Sequence, residues 1–154
     1  MGLIHDFILL TRDEIDRGIN YYDFSRQVNH ERVVHLSDDI IGYIQDTLNW
    51  VTTFNPSINK YQFGLNYFGV SYIDKQGVGP FSNILKAWLL LFTQAPDLMK
   101  LTGNFTYSED EDESKGHYEK LYLRKHELIV EFNRLIEFCD CIEKDNYAII
   151  YLGI

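Results

Sequence analysis

Three features of the sequence predict a single α+β domain. Several short runs are apolar or β-branched and bounded by turn residues. Three longer segments repeat apolar residues at helical spacing. The two kinds of segment follow one another in no regular alternation. The expected architecture is a mixed or mostly antiparallel sheet of about five or six strands with three main helices. A length of 154 residues suits one domain with a sizeable core.

Leu3–Leu10 is an apolar run with one charge, suited to a mostly buried strand. Thr11 and Glu14 form a capping box that starts a short helix through Arg17, which Gly18 stops. Asn20–Asn29 reads as irregular and aromatic, and Arg32–Leu36 as a short strand. Ser37 offers a helix cap, and Asp38 and Asp39 follow where the helix dipole favours negative charge. Ile40, Ile41, Ile44, Leu48 and Val51 then predict an amphipathic helix over Asp38–Thr53, ended by Asn55-Pro56.

Phe63–Ile73 has the aromatic, β-branched composition of a strand, with a bulge expected at Gly64 or Gly69. Gly77–Pro80 predicts a turn, with Pro80 opening a helix over Phe81–Gln94. Ile84, Leu85, Trp88, Leu89 and Phe92 mark its core face. Ala87, Leu90 and Leu91 leave it little polar face, so it is expected to be central or covered by a partner. Leu101–Tyr107 and His117–Leu123 predict a hairpin. A helix over His126–Glu143 follows, with Leu128, Ile129, Phe132, Leu135, Ile136, Cys139 and Ile142 on one stripe. Tyr147–Leu152 is apolar throughout, as in a strand buried on both faces.

Composition narrows the function classes. Apolar residues make up 45% of the chain and aromatics 15%, which excludes a disordered chain. The 14 Lys and Arg against 23 Asp and Glu leave a net charge of −9, unsuited to general nucleic-acid binding. No apolar run is long enough to span a bilayer, so no membrane association is expected. Phe7–Leu10 lacks the basic flank of a signal peptide, and Asp6 breaks a myristoylation motif after Gly2, so the expected location is cytoplasmic.

No nucleophile elbow, phosphate loop or dinucleotide fingerprint occurs, so nothing positive points to an enzyme and no catalytic residue is assigned. Cys139 and Cys141 point about 200° apart on a helix and read as structural thiols. The histidines, His5, His30, His35, His117 and His126, have no metal-ligand spacing, so neither metal nor cofactor is expected.

Two groups remain as candidates for binding. Glu109, Asp110, Glu111, Asp112 and Glu113 lie consecutively in the connection of the expected hairpin. Such a run is either a solubilising loop or an electrostatic bait for a basic protein. Tyr21, Tyr22 and Phe24 crowd a segment read as a loop, where exposed aromatics anchor interfaces. Tyr61, Phe63, Tyr67, Phe68 and Tyr72 read mostly as core.

The whole-chain layout resembles the small acidic immunity proteins that bacteria keep beside polymorphic or contact-dependent toxins. The resemblance rests on net acidity, many Tyr and Trp, and the absence of a catalytic motif. Its local echo is Leu101-Thr102-Gly103-Asn104-Phe105-Thr106-Tyr107, the acidic connection, the helix and the closing Tyr147–Ile154 segment. The resemblance implies occlusion of a basic partner, such as a toxin nuclease domain, by an acidic, aromatic surface. The alternatives are a small-molecule-binding protein or small enzyme with a discontinuous site, and a self-associating subunit such as a homodimer.

Overall fold

The computed structural model describes residues 2–27, 30–107 and 115–154. The chain opens with strand β1 (Ile4–Thr11), followed by α1 (Arg12–Asp16) and α2 (Tyr21–Arg26). Strand β2 (Val33–Ser37) leads directly into α3 (Asp38–Leu48). Three short strands follow: β3 (Thr52–Asn55), β4 (Lys60–Phe63) and β5 (Val70–Ile73). Helix α4 (Val78–Thr93) precedes the hairpin of β6 (Leu98–Thr106) and β7 (His117–Arg124). Helix α5 (Lys125–Lys144) and strand β8 (Tyr147–Leu152) complete the fold.

Six strands form one antiparallel sheet in the order β2-β1-β8-β5-β3-β4, and β6–β7 stands apart as a two-stranded sheet. The fold is therefore α+β with three long helices, as the sequence predicts. Alternation along the central strands divides the core in two. Phe7, Leu9, Ile149 and Tyr151 face α3, α4 and α5, whereas Ile8, Leu10, Ile150 and Leu152 face α1 and α2. The unbroken apolar run of β8 follows from this arrangement, because both faces of that strand are covered.

Four segments differ from expectation. Asn20–Asn29 is not wholly irregular. Asn20 accepts from Asp23 N at 3.1 Å and caps the one-and-a-half turns of α2, too short for periodicity to reveal. The α3 helix stops at Leu48 rather than Thr53. Val51 reaches the core from the following turn, and its helical spacing from Leu48 is coincidental.

The expected Phe63–Ile73 strand is the end of β4, a loop, and β5. Gly64 and Gly69 take φ of 89° and 102°, conformations that end strands rather than bulge one. Between them Asn66 folds the loop, its N bonding Ser71 Oγ and its Nδ2 bonding Val70 O, each at 2.8 Å. Helix α4 starts at Val78, so Pro80 lies inside its first turn, where a missing N–H costs nothing. The outer face of α4 exposes Ala87, Leu90 and Leu91. No described helix is long and apolar enough to cross a membrane.

Candidate functional site

A groove of about 730 Å³ opens between α3 and the β6–β7 hairpin. Asp38, Asp39 and Asp46 line it from the helix and Glu119 from β7, with Tyr43 and Tyr67 among its walls. Among the described residues no Lys, Arg or His lines it. The acidic residues reach one face because Asp39, Tyr43 and Asp46 are spaced four and three residues apart along α3. Gly42 adds no side chain to that face. On the hairpin, a Cβ on Gly103 would lie 3.0 Å from that of Glu119, so glycine lets Glu119 lie close across the strand.

A hydrogen-bonded chain runs from the core to the groove. In a neutral imidazole, His5 Nε2–H donates to Asp38 Oδ1 at 2.9 Å, and Nδ1 accepts from Tyr151 OH at 2.6 Å. Tyr67 OH donates to the same Asp38 oxygen at 2.5 Å. His5 and Tyr151 are fully buried, and the Asp38 side chain is 31% exposed at the groove. Burial works to raise the Asp38 carboxyl, but the bonds from Tyr67 and His5 outweigh it and hold its pKa below the ordinary value. The bond to Asp38, aided by burial, pushes the Tyr67 hydroxyl up to about 12. Burial raises the Tyr151 hydroxyl as well, with the charges of Tyr67 and Asp38 adding to it. The chain thus holds Asp38 ionised and fixes its orientation, and Oδ2 has no bond among the described residues.

Phe68 sits edge-to-face with Tyr67 at 4.9 Å and is 75% exposed. The groove thus carries fixed negative charge with Tyr67 in its wall, and the exposed Phe68 ring stands beside it against Tyr67. That combination suits the cationic and apolar side chains of another protein. Among the described residues, no group of three or more His, Cys, Asp or Glu could hold a metal ion. Cys139 is buried within α5, and burial, with the charges of Asp140 and Glu143, pushes its thiol up to about 12.

The aromatic trio singled out from sequence lies on the opposite face of the sheet from this groove. Tyr21 is half-buried and bonds Tyr72 OH at 2.7 Å. Phe24 is half-buried beneath the Arg32 guanidinium, 5.3 Å from its ring centre. Only Tyr22 of the three is exposed. Glu109, Asp110, Glu111, Asp112 and Glu113 lie outside the described residues. Sequence reading assigned Asp38 and Asp39 to the helix dipole and missed Asp46, Glu119 and Tyr67. The spacing of Asp39, Tyr43 and Asp46 was a usable signal for the helical half. A further signal was His5, a polar residue at a core-facing position of an apolar strand, which needs a partner.

Comparison with known protein families, with curated proteins and with solved structures finds no match for this chain.

Proposed function

We propose that the chain is a non-catalytic, cytoplasmic binding protein that occludes a basic protein partner, as an immunity protein does to a bacterial toxin. The observation that carries this reading is the groove, lined among the described residues by four carboxylates and no cation. Cationic side chains of a partner's active cleft enter it, with Asp38 held ionised and aimed by His5 and Tyr67. Exposed carboxylates steer the encounter, and burial of Phe68 and Tyr43 slows dissociation. The run Glu109–Glu113 adds to the attracting field. Tyr22 contributes only if the partner also reaches the other face of the sheet.

The test is a binding time course with the product of the adjacent gene at two salt concentrations. Parent protein is compared with a variant carrying Asp39→Asn, Asp46→Asn and Glu119→Gln, three exposed sites. Association slows at least about tenfold at low salt, and the gap narrows at 0.5 M salt as the screening length falls below ~5 Å. Equal association rates remove the groove from the interface, and absence of any complex removes the immunity reading.

The His5–Asp38 pair favours a second reading, a small cationic ligand seated in the groove. Titration of the free protein with spermidine distinguishes the two. Saturable binding lost in Asp38→Asn supports the ligand reading.

A further inference from the structure

The hairpin has two chemically opposite faces. Alternation turns Met99, Leu101, Leu121 and Glu119 toward α3 and the groove. The other face carries Lys100, Lys120 and Arg124, interleaved with Phe105, Tyr118 and Tyr122. Lys100 pairs across the strands with Tyr122, and Phe105 with Tyr118, which its ring meets edge-on at 5.1 Å. A register shift between Thr102 and Phe105 brings Phe105 onto this face. Among the described residues nothing covers these rings: Phe105, Tyr118 and Tyr122 are 51%, 61% and 57% exposed. Among the described residues no carboxylate occupies any position of this face, and Arg124 meets only Glu127, at 3.9 Å, beyond the end of β7.

We propose that this outer hairpin face docks an acidic, extended segment of a partner protein. It is a separate surface from the acidic groove, and it stands whether or not the groove reading holds. Lys100 and Lys120 have no counter-charge among the described residues, and Arg124 has only an exposed Glu127 at 3.9 Å, so on a chain of net charge −9 this patch selects carboxylates by complementarity. The rings between the cations supply the apolar area that desolvates on contact. Alternate residues of a strand stand ~6.8 Å apart, the step from Lys120 to the level of Lys100 and on to Arg124, so a segment with a carboxylate at every second residue turns all its carboxylates toward the cations, their stems passing over the rings between.

A nucleic acid fits this face less well. Its backbone carries a charge at every nucleotide, and beyond three cations it runs into the field of the groove on the reverse of the same two strands. A polypeptide places negative charge only where a cation stands.

The experiment titrates ¹⁵N-labelled full-length protein with the blocked peptide acetyl-Glu-Leu-Glu-Leu-Glu-amide. Amide shifts are expected at 98–105 and 117–124, with a Kd of about 1 mM or tighter. The double variant Lys100→Glu/Lys120→Glu, at two exposed positions, weakens binding at least tenfold. Should the double variant fail to melt like the parent, Lys120→Gln alone is expected to weaken binding about threefold. Absence of shifts, or binding unchanged in a folded variant, overturns the proposal. So does tighter binding of an eight-residue oligothymidylate at the same amides, which would make the partner a nucleic acid. Self-association of the parent that the double variant abolishes would overturn it as well, by making the occupant a second copy.

Discussion

Replacing Glu14 by Gln tests how the first helix is pinned to the sheet. Glu14 closes a capping box with Thr11, accepting from its N at 2.8 Å. Its two oxygens also accept from Arg32 Nη1 at 3.0 Å and Nη2 at 2.5 Å. Arg32 Nε donates in turn to Leu9 O at 2.9 Å, so the end of β1, the start of α1 and the entry to β2 share one charged clasp. The Arg32 bonds do most to lower the Glu14 carboxyl from 4.5 to about 2, while burial pulls the other way and the Thr11 N–H adds to the lowering.

That lowering corresponds to ~3.4 kcal/mol at most. With the Glu14 side chain 20% and the Arg32 side chain 27% exposed, solvent screening reduces this to about 2–3 kcal/mol. Because the folded value is depressed, this stability is present above about pH 4.5 and is lost as pH falls toward about 2. Urea unfolding of parent and Glu14→Gln should therefore differ by about 2–3 kcal/mol at pH 7. The difference should shrink to about 1 kcal/mol at pH 3, and at pH 7 it corresponds to about 4–12 °C in Tm. A difference below about 0.5 kcal/mol at pH 7, or one that stays constant down to pH 3, would refute the argument.

Other expectations follow from single contacts. Tyr151→Phe keeps the ring that packs on Phe7 but strips the donor from buried His5 Nδ1; urea denaturation should show a loss of about 1–3 kcal/mol. Gly77→Ala sets a Cβ 1.9 Å from Thr52 O, a backbone atom that cannot yield cheaply, and should cost about 3 kcal/mol in the same assay. By contrast, the Cβ of Gly42→Ala meets nothing within 4 Å on an exposed helix face, and calorimetry should show it neutral or stabilised by up to about 1 kcal/mol. Iodoacetamide should modify half-buried Cys141 well before buried Cys139, and equal fast labelling would put the register of α5 in error. Deleting 147–154 removes the strand between β1 and β5, so the truncated chain should show no cooperative melt.

By itself the sequence determined the elements whose evidence lies within a few residues. The Thr11–Glu14 box, the Ser37 cap, the stripe of α5 and the apolar run of β8 are local patterns, and each is present. Local pattern misled where two causes give the same signal. Val51 keeps helical spacing while sitting in a turn, and Gly64 and Gly69 interrupt strand-like composition because the strands end there. Tertiary structure alone decided the groove. Asp46 and Glu119 are 73 residues apart in the chain, and only the packing of the hairpin beside α3 makes them neighbours. It also decided the fate of Tyr21 and Phe24, which the sequence offered as exposed anchors and the sheet buries in part. An aromatic ring is equally suited to a core and to an interface, so its type carries no information about which one covers it. Burial is set by what packs against a residue, and that depends on chain closure over long separations rather than on its neighbours in sequence.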